Sequence, residues 1–410
     1  MHYKMRTLLI AAVALLPAVA SLSASAADQS LPDEEEGYFT AVALNVDGLP
    51  NKIATFVLNP DGPGSEGTKK ISRYLASKDY DIIGCSEDFN YHGSLMSSLN
   101  NTYSSGTVRA TLSVGNLPIS QIIQGRFRFD TDGLNLIWKN SLAASNESWT
   151  QWDDMEPTDG NQYVCKGFRH YDLWLGGSVT IDVYVLHMDA GGTGATWSRE
   201  SQWRQLANAI NASDHSRAKL IIGDTNSRYT REDITANFHQ MLSTDLVASD
   251  VWVEFYQGGI YPATGQNDLT DQSAPTNYSN YEIVDKIIYI NPTEANTVRL
   301  VPQSFRIEQD YTYGHVNALD GGTDDDSTPL GDHRPVVVTF KYMLSGDITP
   351  TAVALPHGST QEAPATGRRT MYDLQGRRLS SAQHGCPIYI VGKNGEFRTK
   401  MYSRNAAIMK

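Results

Sequence analysis

Residues 219–226 read Lys219-Leu220-Ile221-Ile222-Gly223-Asp224-Thr225-Asn226. The apolar run predicts a buried strand over 219–222, with a polar triplet where the strand emerges. An Asp in that position is most often a turn former or a helix cap, so the stretch alone specifies no chemistry. Other segments repeat the pattern. Asn45 ends Leu44-Asn45, within Leu44-Asn45-Val46-Asp47-Gly48. Glu87 ends Ile82-Ile83-Gly84-Cys85-Ser86-Glu87, and His187 ends Tyr184-Val185-Leu186-His187. Asp285 sits in Ile283-Val284-Asp285-Lys286-Ile287, and Asp332-His333 precede Arg334-Pro335-Val336. Burying an unpaired carboxylate is unfavourable, so Asp285 in an apolar run calls for a partner.

Working outward, runs at 38–46, 80–85, 134–138, 282–290 and 335–342 predict further strands. The runs 163–175 and 179–186, parted by Gly176-Gly177, predict a hairpin. Residues 69–78, with Ile71 and Leu75 four apart, have helical spacing. So do residues 198–210, through Trp203, Leu206 and Ile210. The aromatic run at 251–256 is expected to be a buried strand rather than an exposed hairpin. Strands and helices mix without a strict βαβ rhythm, which predicts a sheet-on-sheet core with helices outside.

The chain has 410 residues, 40% hydrophobic, 10% aromatic and 19% charged, which excludes a disordered polyelectrolyte. It has room for one large domain plus a small appendage. Its net charge is −13, which disfavours tracking along a polyanion. Lys4 and Arg6, the apolar run 8–20 and Ala24-Ser25-Ala26 read as a signal peptide over 1–26. Its removal leaves 31 Lys+Arg against 46 Asp+Glu, a net −15. The expected layout is therefore a leader at 1–26, a catalytic domain at 27–344, a Pro/Thr/Ala-rich linker at 345–368 and a small β tail at 369–410. Of the three cysteines, Cys85 and Cys165 lie in apolar runs and read equally as buried thiols or a disulfide; Cys386 lies in the tail.

Carboxylates, carboxamides and two histidines at strand ends suit one chemistry. Hard oxygen ligands hold Mg²⁺ or Mn²⁺, which polarises a phosphoryl oxygen, while imidazole moves protons near neutral pH.

The ordered set Asn45, Glu87, His187-Met188-Asp189-Ala190, Gly223-Asp224-Thr225-Asn226, Asp285 and Gly331-Asp332-His333-Arg334-Pro335-Val336 resembles the endonuclease/exonuclease/phosphatase superfamily over roughly residues 38–342. That superfamily includes pancreatic-type deoxyribonucleases, abasic-site endonucleases, inositol-phosphate phosphatases and bacterial sphingomyelinases. The resemblance implies a four-layer α/β sandwich of two packed mixed β-sheets with outer helices, here with a small C-terminal β module. It implies in-line attack of water on phosphorus, with His333 as general base oriented by Asp285. Glu87 becomes the metal ligand, with Asn45, Asp224 and Asp332 in or beside the shell. Asn226 and His187 hold the phosphate and stabilise the departing oxygen. The sequence departs at Gly331, where Ser is usual, at Lys286, where an aromatic is frequent, and at Cys85-Ser86-Glu87 in place of Leu-Gln-Glu.

Lys166-Gly167-Phe168 is similar to a run in bacterial sphingomyelinases, which implies a phospholipid head-group substrate. A secreted DNase-like endonuclease and a non-catalytic surface binding protein are the alternatives. Arg126, Arg128 and Arg169 are expected to be solvated surface arginines rather than phosphate contacts. In the tail, Met371-Tyr372-Asp373-Leu374-Gln375-Gly376-Arg377-Arg378-Leu379 and Pro387-Ile388-Tyr389-Ile390-Val391 resemble a type IX secretion sorting domain, implying the secretion machinery as a partner.

Overall fold

The computed structural model describes residues 36–53, 56–57, 59–109, 129–266, 269 and 280–344, and the strand residues of the C-terminal segment. The leader, the 345–368 stretch, Arg126, Arg128 and Cys386 lie outside the described residues.

Through residue 344 the strands are β1 (Glu36–Asn45), β2 (Lys52–Ile53), β3 (Phe56–Val57), β4 (Ile82–Ser86), β5 (Tyr103–Ser105), β6 (Asn135–Lys139), β7 (Ala143–Gln151), β8 (Gly167–Gly176), β9 (Val179–His187), β10 (Lys219–Asp224), β11 (Leu246–Asp250), β12 (Asp285–Pro292), β13 (Val298–Ile307) and β14 (Val336–Leu344). They form two six-stranded sheets, β13-β14-β1-β4-β6-β5 and β11-β12-β10-β9-β8-β7, plus a two-stranded ribbon β2-β3. Each large sheet is mixed: β1 runs parallel to β4, and β9 parallel to β10, while the other pairs are antiparallel.

Side chains alternate across each strand, so each sheet has two faces to cover. Phe39, Ala41, Ala43, Ile82 and Leu136 of the first sheet share a core with Val183, Val185, Leu220 and Ile222 of the second. The facing residues of β1 and β4 are small where the sheets approach closely. A Cβ added to Gly84 would lie 2.6 Å from Ile222 Cγ2, closer than packed carbons tolerate. The opposite face of the first sheet, through Val42, Leu44, Ile83 and Cys85, packs on Ile71, Tyr74 and Leu75 of the helix Gly64–Lys78. The second sheet is covered by the helix Thr196–Asn211 through Trp203, Leu206 and Ile210. Burying each such aliphatic side chain contributes about 1.5–3 kcal/mol. The result is the expected helix–sheet–sheet–helix order.

The run 251–256 departs from expectation. Val251–Tyr256 is a helix, with Val251, Trp252 and Val253 buried. Apolar content identified the burial, but Asp250 decides the conformation: its carboxylate accepts from the N–H groups of Trp252 and Val253 at 2.9 and 3.4 Å, a helix N-cap. Cys85 and Cys165 are both buried and free, and the Cys165 thiol donates to the Phe129 carbonyl. In the C-terminal segment β15 (Thr370–Tyr372), β16 (Arg378–Leu379), β17 (Pro387–Val391) and β18 (Phe397–Met401) form an antiparallel sheet in the order β16-β15-β17-β18. Among the described residues no helix is long and apolar enough to cross a membrane.

Candidate active site

Strand direction gathers the polar residues. β1 and β4 run in parallel and stop together, with Asn45 paired to Ser86 and Glu87 next in line. β9 and β10 do the same, with His187 paired to Asp224. β12 runs the other way and begins at that edge, so Asp285 pairs with Asp224. β14 also begins there, with Val336 opposite Ala43 and His333 just ahead. Two cross-sheet hydrogen bonds pin the edges together: Ser86 Oγ donates to the Leu186 carbonyl at 3.3 Å, and the Asp224 N–H donates to Ser86 Oγ at 3.2 Å.

Asn45 Nδ2 donates to Glu87 Oε1 at 2.9 Å and to Asp224 Oδ2 at 3.2 Å, so one carboxamide spaces the two carboxylates. His333 Nδ1 contacts Asp285 Oδ2 at 2.6 Å, while its Nε2 lies 3.9 Å from Asp224 Oδ2. Burial works against charge on His333, but Asp285, with Asp224 and Asp332, outweighs it and holds the imidazole pKa well above the usual value. His187 is the opposite case. Burial, then the Lys166 charge, push its pKa well below the usual value, so it stays neutral. Asn226 Nδ2 lies 3.3 Å from His187 Nε2 and also faces two acceptors, the Met188 carbonyl at 3.2 Å and Asp224 Oδ2 at 3.3 Å. His187 Nε2 therefore accepts, and the ring proton sits on Nδ1. Asp332 is the exposed member, acting on Asp47 and Glu87 through its charge.

Glu87, Asn226 and Asp47 hold left-handed backbone, with φ of 58°, 47° and 50°. Non-glycine residues rarely adopt it, and it persists where surroundings enforce it. Here the Asp47 N–H donates to Asn45 Oδ1 at 2.9 Å and the Asn226 N–H to Asp224 Oδ1 at 2.8 Å.

All eight residues singled out in the sequence thus lie at one edge of the sandwich. Two more belong with them. Lys166 is buried, with Nζ 3.0 Å from both His187 Nε2 and the Met188 carbonyl, and burial lowers its pKa. The run Lys166-Gly167-Phe168 marks it without giving it a role. Asp47, two residues past Asn45, has its pKa pushed up to about 7 by burial, then by Asp332 and Glu87. The Asn-x-Asp spacing could have marked it. Arg169, expected on the surface, is buried: Nε and Nη2 donate to Asp132 at 2.8 and 2.9 Å, and Nη1 meets Glu147 at 2.5 Å. It braces the structure and is not presented to a ligand. Lys286 is likewise buried, 3.6 Å from Asp250 and over the Tyr229 ring, on the face away from Asp285.

Two overlapping groups at this edge could hold a metal ion: Glu87, His187 and Asp224, and Asp224, Asp285 and His333, each with ligand atoms within 4.8 Å. Among the described residues no Lys or Arg forms an ion pair with Glu87, Asp224, Asp285, Asp332 or Asp47. The crowding that raises Asp47 is relieved by a cation, and the oxygen-rich donor set suits a hard one. A third group, His170, Asp172 and Asp182, has the same ligand types. Its carboxylates are already neutralised: Lys219 lies 2.8 Å from Asp182 and Arg217 2.8 Å from Asp172.

No protein-family model matches the chain. The chain is 27% identical over 314 residues to sphingomyelinases of Mycobacterium bovis and Mycobacterium tuberculosis, covering 76% of this chain and 54% of each relative. It therefore spans about half the length of the curated relatives it matches. Among solved structures, humanized D. rerio TDP2 aligns with a TM-score of 0.48 at 14% identity, over 74% of this chain and 98% of that one. Sphingomyelinase C from Streptomyces griseocarneus aligns with a TM-score of 0.45 at 13% identity, over 74% and 99%.

Proposed function

We propose that the chain is a secreted, divalent-metal-dependent phosphodiesterase of the endonuclease/exonuclease/phosphatase superfamily, acting on phospholipid head groups as a sphingomyelinase-like hydrolase. The observation that carries the reading is the convergence of six strand-end segments on one edge, where His333, Asp285, Asp224 and Glu87 meet. The likeness to mycobacterial sphingomyelinases over 314 residues supports the lipid substrate. The basic, apolar leader at 1–26 and the tail at 369–410 support export, the tail serving the secretion machinery.

Glu87 and Asp224, with Asn45 and Asp332 beside them, would hold Mg²⁺ or Mn²⁺, which when bound supplies charge stabilisation to a phosphoryl oxygen. The chain's own groups do the rest. Asp285 fixes His333 through Nδ1, leaving Nε2 to take the proton from the attacking water. Asn226 donates one N–H to His187, the neutral acceptor that sets its orientation, and turns the other from its present acceptors to a phosphate oxygen. Lys166 adds a buried positive charge on the same side. A parallel screen of sphingomyelin, phosphatidylcholine, plasmid DNA and inositol phosphates with Mg²⁺ tests the substrate. Fastest turnover of sphingomyelin is expected. Fastest cleavage of DNA would shift the reading to a nuclease, and no turnover of any ester would shift it to a binding protein.

A further inference from the structure

Tyr311 is fully buried, and its hydroxyl has no hydrogen-bond partner among the described residues. Leaving such a group unsatisfied costs about 1–3 kcal/mol. Its tyrosine neighbours do not share the defect. Tyr74 donates to Asp310 at 2.7 Å, and Tyr80 donates to Glu308 at 2.7 Å. Tyr74 also holds the Tyr311 ring edge-on, with centroids 5.0 Å apart and an interplanar angle of 82°, so the phenol is aimed by packing.

It is aimed at the active edge. A Cβ built on Gly331 would meet Tyr311 Oη at 3.9 Å and Asp47 Cβ at 4.0 Å, and nothing nearer. Gly331 thus leaves a small gap, walled by the phenol on one side and Asp47 on the other, immediately before Asp332. Burial, then the charges of Cys85, Asp332 and Asp47, push the Tyr311 hydroxyl well above its usual range, so it remains a donor. A serine at 331 would put a hydroxyl into the same gap from the backbone of residue 331.

We propose that Tyr311 is a positioning residue: with a divalent cation bound, its hydroxyl donates across the gap beside Gly331 to the Asp47 carboxylate and orients it toward the ion. The inference rests on the metal-dependent reading of the site. Groups one shell out from a metal commonly set its affinity by orienting the ligands.

The test is Mn²⁺ uptake by the full chain, followed by the loss of the free-ion paramagnetic resonance signal. Tyr311→Phe keeps the ring and its packing. It should weaken Mn²⁺ binding about tenfold without changing the far-UV circular dichroism. Adding Gly331→Ser to that variant should recover most of the affinity, which a packing defect at Tyr311 would not allow. Equal Mn²⁺ affinity in wild type and Tyr311→Phe overturns the inference alone, as does a double variant no better than the single one. A wild type that takes up no Mn²⁺ overturns the metal reading, and this inference with it. If Tyr311→Phe does not fold, Gly331→Val fills the gap with hydrocarbon and should weaken Mn²⁺ similarly; wild-type affinity there overturns the role.

Discussion

Two clusters join one imidazole to two carboxylates, each with ligand atoms within 4.8 Å: His333–Asp285–Asp224, whose aspartates lie on the second sheet and whose histidine precedes β14 of the first, and His170–Asp172–Asp182, wholly on the second sheet. Asp182 and His187 lie five residues apart on β9, about 17 Å along the strand and on opposite faces. In the His170 cluster, Lys219 and Arg217 neutralise the carboxylates, and each charge has a partner in the fold. In the His333 cluster the carboxylates have histidine and asparagine neighbours but no Lys or Arg ion pair among the described residues. Identical ligand types therefore do not imply the same work. What separates a site from a brace is whether the fold has already satisfied its charges.

Paired substitutions can break that contrast. The largest effect is expected from His333→Ala, which should lower turnover about 10²–10⁴-fold while the fold persists. His170→Ala should leave turnover within about twofold, since it is remote from the reacting groups. Comparable losses from both would erase the distinction. Next comes stability. Asp182→Ala strands the buried Lys219 ammonium and should cost about 3–5 kcal/mol in urea unfolding, with the metal titration of activity unchanged. Glu87→Gln should do the reverse, raising the Mg²⁺ concentration for half-maximal rate by about tenfold with little change in the urea midpoint.

A pH profile sharpens the same contrast. Asp285 raises the pKa of His333, so the rate should climb with pH as that imidazole loses its proton, above the usual histidine range. Asp285→Asn removes the largest raising cause and leaves Asp224 and Asp332, so the acidic limb should move to lower pH, apart from a lower plateau. An unmoved limb would assign the titration to another group.

The smallest effect lies near the neutralised cluster, at His215. Its Nδ1 meets Asp245 at 2.8 Å and its Nε2 meets the Asn211 carbonyl at 2.9 Å, which together raise its pKa. A raised folded value means the contribution is fully present below the unfolded pKa and fades as pH rises through the folded one. His215→Gln should therefore destabilise by a few tenths of a kcal/mol in acid and less at alkaline pH, an exposed pair being largely screened. Equal destabilisation at pH 5.5 and pH 9 would contradict the assignment.

The buried central strands were legible because both faces are covered, so their apolar runs are nearly continuous: Ile221 and Ile222 in β10, Val42 to Leu44 in β1. The edges were not. β7 is mostly exposed and reads Ala143-Ala144-Ser145-Asn146-Glu147, with no apolar alternation to detect. β13 has alternation, but Pro302 and a bulge before Ser304 interrupt its period. The site was legible for a related reason. Asn45, Glu87, His187, Asp224 and Asp285 end or begin the most readable strands, so strand direction alone brings them together. Lys166 and Asp47 escaped a role because their surroundings, a buried imidazole and a pair of distant carboxylates, come from elsewhere in the chain. Arg169 escaped for the same reason, its partners Asp132 and Glu147 lying on other elements.

The most direct test of the account is phosphocholine release from sphingomyelin vesicles by the purified protein, measured with Mg²⁺, after EDTA, and after Mg²⁺ is restored. The account predicts release that stops with the chelator and returns with the ion. Release that continues undiminished in EDTA would contradict it.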